Sequence, residues 1–171
     1  MPAEFLPAYE ATMLAEGGYK LTNDPVDRGG QTYAGISRRA NPRWTGWAFI
    51  DAEDRPPVSM VRAYYLQNYW DALRLSEVSS QKVANCIYGS AVNSGTKTAA
   101  KLAQLVVGAT PDGVLGPVSL GLINGTAPEV FIAQFTIAKI ARYRDIVTKD
   151  RSQMKYLLGW INRALKEAEW A

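Results

Sequence analysis

Glu16 stands before a pair of glycines, in Glu16-Gly17-Gly18-Tyr19, and two more acids and a threonine, Asp24, Asp27 and Thr32, follow shortly after it. Carboxyl and hydroxyl groups gathered in this way are what glycoside hydrolysis uses. One carboxylic acid protonates the leaving oxygen, while a group on the other face of the sugar positions water or attacks the anomeric carbon. The chain has no histidine and a single cysteine, Cys86, which excludes Ser-His-Asp and Cys-His catalysis and nearly all zinc sites. Its chemistry must run on carboxylates, hydroxyls, lysines or backbone. By spacing alone the stretch is equally a helix C-cap and a solvated acidic turn, since most Glu and Asp are surface residues.

The elements that hold these groups can be read around them. Phe5, Leu6, Tyr9, Met13 and Leu14 recur every three to four residues, so a first helix has one apolar face. Gly17 and Gly18 end it, because glycine takes the left-handed conformation without a Cβ penalty. Glu16 is then expected on the last turn, beside unpaired carbonyls and the negative end of the dipole. Partial desolvation there raises a carboxyl pKa and suits a general acid. Asp24-Pro25 and Asp27-Arg28-Gly29-Gly30 are turn chemistry, and Gln31-Thr32-Tyr33 reads as a short strand or hairpin arm.

Further along, Asn41-Pro42 and Gly46 predict an irregular excursion over residues 37–47. Its Trp44 and Trp47 either stack on sugar faces or wedge two lobes together. A helix opens at Asp54-Arg55-Pro56-Pro57 and runs to about Asp71, with Val61, Tyr64, Tyr65, Tyr69 and Trp70 on its apolar and aromatic face. Leu75 to Ser80 reads as a polar connector. Helices are predicted over residues 82–91, 96–107, 128–147 and 153–167, with another starting at Pro117 after the turns of Asp112-Gly113-Val114-Leu115-Gly116-Pro117. Cys86 lies in an apolar helical pattern with Val83 and Ile87, which marks a buried structural thiol. Asn93, before Ser94-Gly95, either caps a helix or bonds a sugar amide. Arg142-Tyr143-Arg144 is a basic patch facing an anionic ligand or simply solvent.

Several of these motifs, in this order, resemble the glycosyl hydrolase family 108 N-acetylmuramidases. The likeness rests on Glu16-Gly17-Gly18-Tyr19, Asn23-Asp24-Pro25, Asp27, Gly29-Gly30, Thr32 and Gly35-Ile36. It continues through Tyr65-Leu66-Gln67-Asn68-Tyr69-Trp70, Ala91-Val92-Asn93-Ser94-Gly95 and Gly159-Trp160-Ile161-Asn162-Arg163. Helix, Asp-Gly-x-x-Gly-Pro, helix is similar to the core of small peptidoglycan-binding modules. The order Glu, Asp, Thr, Gly-Ile also resembles phage-type lysozymes, in which glutamate is the acid while an aspartate and a threonine manage the water. One departure stands out: where the family usually has an acid four residues before the asparagine, this chain has Gly89, so no role is carried over to that site.

The resemblance implies a mainly α, lysozyme-like α+β fold with a small β-hairpin after the first helix. Residues 1–75 would form the catalytic lobe and residues 76–171 a helical, peptidoglycan-binding-like lobe packed against it. The implied activity is hydrolysis of the β-1,4 bond between N-acetylmuramic acid and N-acetylglucosamine, by an endolysin or by a muramidase that opens the wall for export. Glu16 would be the general acid, and Asp27 or Asp24 with Thr32 would position or activate water; the order of acids does not choose between the two aspartates. Tyr19, Tyr33, Tyr69 and Asn93 are the expected substrate contacts. The alternatives are a lytic transglycosylase, or a non-catalytic wall-binding or secretion-assisting protein.

Composition is compatible with all of this. With 171 residues, 47% hydrophobic and 20% charged, the chain has the balance of an ordinary globular protein. Its net charge of +3 comes from scattered lysines and arginines, without the clustered footprint of a nucleic-acid binder. No apolar run approaches a membrane span, and the first residues lack a secretory pattern. The expectations are therefore synthesis in the cytoplasm, action in the periplasm or wall after release by a holin or an export machinery, and a monomer. No cofactor and no metal are expected, although Asp24 and Asp27 are of the right type for calcium.

Overall fold

The computed structural model describes residues 2–15, 17–23 and 30–169. Glu16, Asp24 and Asp27 lie outside the described residues. The chain divides into two compact units, one of residues 9–68 and the other of residues 1–8 with 69–171.

In the first of these, helix α1 (Phe5–Ala15, whose opening residues belong to the other unit) leads to three short strands, β1 (Leu21–Asn23), β2 (Gln31–Tyr33) and β3 (Ile36–Ser37). The strands form an antiparallel sheet in the order β1-β2-β3, with Leu21 opposite Tyr33, Thr22 opposite Thr32, and Tyr33 opposite Ile36. Between β2 and β3 the chain turns on Ala34 and Gly35, both at positive φ (48° and 78°), the pattern of a hairpin turn whose twist matches its strands. Tyr65 fixes this turn, because its hydroxyl donates to the Ala34 carbonyl at 2.8 Å. A Cβ on Gly35 would meet the same hydroxyl at 2.5 Å.

The excursion over residues 37–47 is followed by a short helix, α2 (Trp47–Asp51), which the sequence pattern does not announce. It is held from outside: the Arg38 guanidinium bonds Asp51 through both nitrogens at 2.7 and 2.6 Å, bonds Gln31 at 2.7 Å, and lies 5.2 Å over the Trp47 ring. Helix α3 (Val58–Tyr65) starts after Pro57 as expected but does not continue to Asp71 as a regular helix. It widens into a π-helical turn at Leu66–Trp70 and then tightens to a 3₁₀ turn at Asp71–Leu73.

The second unit is helical: α4 (Gln81–Ser94), α5 (Thr96–Val106), α6 (Pro117–Gly125), α7 (Pro128–Lys149) and α8 (Met154–Glu169). Ser80 caps α4, its hydroxyl accepting from the Val83 amide at 3.4 Å. Central to this unit is α4, in which Val83, Ala84 and the run from Cys86 to Ala91 are buried. Helices α5, α7 and α8 pack on it. An aromatic cluster closes one end, with Phe5, Trp70 and Tyr88 edge to face at 5.8–6.0 Å. Each such ring, fully buried, contributes about 1.5–3 kcal/mol from apolar transfer alone. The connector after Leu73 is less polar inside than its sequence implies: Leu75 and Val78 are fully buried, and the Ala3 amide donates to the Val78 carbonyl at 2.9 Å.

The Asp-Gly-x-x-Gly-Pro turn hangs on Gln104 of α5, which is 1% exposed. Its amide nitrogen donates to Asp112 at 2.7 Å and to the Val114 carbonyl at 2.9 Å, while its oxygen accepts from the Gly113 amide at 2.9 Å. The Gln104 amide, and next the Val114 backbone amide donating at 2.8 Å, hold the Asp112 carboxyl below the usual carboxylate range. Pro117 then begins α6 at its first turn. No helix among the described residues is long and apolar enough to cross a membrane.

Candidate active site

Helix α1 ends as its glycines require. Gly17 (φ 84°) and Gly18 (φ 76°) are both left-handed, and the Gly18 amide turns back to the Met13 carbonyl at 2.9 Å, a closing bond of the Schellman type. An open cleft of about 640 Å3 lies here, bordered by Tyr9, Glu10, Met13, Leu14, Gly17, Gly18, Tyr19 and Arg62. Leu14, Gly17 and Gly18 are the sequence neighbours of Glu16.

Two residues of this cleft were not singled out by sequence. Tyr9, read as part of an apolar face, is 1% exposed, and its hydroxyl shares a 2.9 Å hydrogen bond with that of Tyr19. Burial, and next that hydrogen bond, hold the Tyr9 hydroxyl far above the usual tyrosine range; it is a fixed neutral group, not a proton donor in catalysis. The Arg62 guanidinium lies 5.8 Å over the Tyr9 ring, and its Nε is buried with no hydrogen-bond partner among the described residues. A lone arginine in an aromatic helix carries no local signal of such a place.

Tyr19 also borders a second cleft of about 640 Å3, with Lys20, Leu21, Thr22, Tyr33, Ile50, Glu53, Asp54 and Arg55. Thus Tyr19, 37% exposed, joins the helix end to the sheet. Thr32, on β2, is half-buried, and the Thr22 hydroxyl donates to its carbonyl at 3.4 Å. Tyr33 is buried: its ring stacks on Trp44 with centroids 6.2 Å apart, and burial pushes its hydroxyl above the usual range.

The two tryptophans pack edge to face with ring centroids 5.1 Å apart, but they differ in exposure. Trp47 is 3% exposed, and its indole donates to the Asn41 carbonyl at 2.7 Å. Half-buried Trp44 lies over Gly46, where any Cβ would strike its ring. It borders a third cleft of about 670 Å3 with Asn41, Arg43, Thr45, Tyr64, Gln67 and Asn68 among others. An aromatic face beside amide and guanidinium donors has the composition of a sugar subsite.

Tyr69 and Asn93 belong to the helical unit. Tyr69 is half-buried with its ring 6.5 Å from that of Tyr88. Asn93 does not cap α5, whose N-cap is Gly95; it lies within α4 and its amide is used inside the protein. Its nitrogen donates to the Gly89 carbonyl at 2.9 Å and to Glu167 Oε1 at 3.1 Å, and its oxygen accepts from Arg163. The other oxygen of Glu167 pairs with Lys139, both side chains being about 95% buried (4% and 6% exposed). A Cβ at position 89 would lie 3.4 Å from the Glu167 carboxyl carbon. A carboxylate thus reaches the surroundings of Gly89 from α8. Cys86 is close by, its thiol 3.5 Å from the Glu167 carbonyl, and burial pushes it up to about 12; it is structural, as its sequence setting implies.

Comparison with known proteins adds four findings. No curated protein matches the chain. The structure of SagA from Brucella abortus shares the fold, with a TM-score of 0.67 and 24% identity over 94% of this chain and 93% of that one, and the fold is lysozyme-like α+β, mainly helical. Residues 98–165 match a predicted peptidoglycan domain, and residues 9–95 match glycosyl hydrolase 108. Because that last match takes in just over half of the chain, the protein belongs to glycosyl hydrolase family 108 and is a glycoside hydrolase acting on peptidoglycan.

Proposed function

We propose that the protein is an N-acetylmuramidase, which hydrolyses the β-1,4 bond between N-acetylmuramic acid and N-acetylglucosamine. The observation that carries this reading is the cleft at the end of α1, where two left-handed glycines turn the chain from the helix directly toward a three-stranded sheet. In this reading Glu16 protonates the leaving glycosidic oxygen. Asp27 or Asp24, with the Thr32 hydroxyl, positions or activates water on the opposite face of the sugar. Tyr19 and Tyr69 contact the glycan, and Trp44 offers the ring that sequence alone could not choose between two tryptophans. Tyr33 supports Trp44 from beneath, and the Asn93 amide, expected to contact substrate, is engaged by Gly89, Glu167 and Arg163. The enzyme works as a monomer in the periplasm or wall, reached by release or export, as an endolysin or a wall-opening muramidase.

Mass spectrometry of fragments released from purified sacculi tests the reaction. Reducing muramic acid ends are expected. Anhydro-muramic ends would make the protein a lytic transglycosylase, with no water to position, and reducing glucosamine ends would place the cut at the other bond.

A further inference from the structure

The helical unit contains a cleft that the reaction does not use. It has a volume of about 340 Å3 and lies among Asn93, Arg142, Tyr143, Ile146, Trp160 and Arg163. Among the described residues that line it there is no carboxylate, and two guanidinium groups border it. Both act on the Tyr143 hydroxyl, drawing its pKa down against the larger upward effects of burial and of the Glu167 charge behind it. Arg142 is half-buried and makes no hydrogen bond or ion pair among the described residues. Arg163 is exposed but not free: Asn93 holds it, Glu167 holds Asn93, and Lys139 neutralises Glu167. That relay puts an amide and not a carboxylate against Arg163, and it limits the ordering a ligand must impose on the arginine. The rest of the wall is mixed, Asn93 and Ser94 on the polar side and Ile146 with the rings of Tyr143 and Trp160, 5.5 Å apart, on the apolar side.

Two guanidinium groups, one of them held in place by Asn93, recognise an anion with paired oxygens. The apolar side of the wall asks that this anion be carried on carbon, next to a small apolar group. The volume is at the lower end for ligand sites, which suits the end of a peptide and not a glycan strand. We infer that this cleft binds the terminal carboxylate of the peptidoglycan stem peptide, with the methyl group of its last D-alanine against Tyr143 and Trp160. The inference rests on peptidoglycan being the substrate; it adds a second site, separate from the cleft at the end of α1, that reads the peptide while the other reads the sugar.

The test is titration of the full chain with the synthetic tetrapeptide L-alanyl-γ-D-glutamyl-diaminopimelyl-D-alanine, followed by calorimetry and Trp fluorescence. The same titration is made with its C-terminal amide and with inorganic phosphate. Binding of the acid, weakened about tenfold or more by amidation and by Arg142→Gln, is expected. Arg163→Lys, which keeps the charge but loses the planar fork, should lie between the two. Arg142→Gln removes no bond within the described residues, so thermal midpoints equal to wild type will show intact folding. No binding, equal binding of acid and amide, phosphate binding as tight as the peptide's, or an Arg142→Gln variant as tight as wild type would each overturn the inference. Fragment release from sacculi by the wild type, run in parallel, separates the two failures. Release without peptide binding loses only this site, while peptide binding without release loses the muramidase.

Discussion

Lys139 and Glu167 are a charged pair taken almost wholly out of water, reached from α7 and α8. Removing one partner of such a pair leaves an uncompensated buried charge, whereas replacing both by apolar groups is often tolerated. Lys139→Met alone is expected to cost about 3–5 kcal/mol, and the Lys139→Met/Glu167→Leu double variant to recover most of that loss in denaturant titrations. A double variant no more stable than the single would mean that the pair's bonds to Asn93, not its charges, carry the stability. Gly35 is the other residue whose type is dictated by its surroundings. At φ 78° and with the Tyr65 hydroxyl 2.5 Å from any Cβ, Gly35→Ala is expected to destabilise by about 1–3 kcal/mol. A thermal midpoint equal to wild type would contradict that account of the turn.

At the scale of elements, sequence reading succeeds where the signal is local. Gly17 and Gly18 announce the end of α1, Gln31-Thr32-Tyr33 announces β2, and Ser80 and Pro117 stand at the starts of α4 and α6. It fails where distant groups decide. Helix α2 is too short to stand on propensity and depends on Arg38 reaching Asp51. The π-helical turn at Leu66–Trp70 interrupts a continuous apolar pattern, and the structure offers no local residue to explain it. Within the candidate site, Tyr19 was legible because it follows the glycines. Arg62 was not, since its place depends on Tyr9 in another helix. Gln104 was missed for the same reason: a glutamine in an amphipathic helix gives no sign that it satisfies a turn eight to ten residues away. Gln104→Leu leaves the Gly113 amide without its partner and takes one donor from the Asp112 carboxylate, which keeps the Val114 amide, so a loss of about 1–3 kcal/mol is expected. Hydrogen exchange should then speed up first at residues 112–116, and uniform acceleration along the chain would contradict a local role.

Across the whole molecule, burial has one common consequence for pH. The Cys86 thiol is raised from 9.0 to about 12, and the Tyr9, Tyr33 and Tyr143 hydroxyls are raised as well. For each, the folded state keeps a proton that the unfolded chain releases, so the unfolded state binds fewer protons and stability falls as pH rises. For Cys86 that loss begins near the unfolded value of 9.0 and continues to about 12. The thermal midpoint is expected to decline over this range, less steeply in Cys86→Ala; a flat profile would contradict the burial of these groups.

The central claim is that Glu16, which follows α1 in the sequence, is the acid of a muramidase. Initial rates of glycan release from sacculi by wild type and Glu16→Gln, with thermal midpoints of both, test it most directly. Loss of general acid catalysis should lower the rate by about 10²–10⁴-fold while the midpoint stays unchanged. A Glu16→Gln enzyme as fast as wild type would contradict the assignment and move the chemistry away from the helix end.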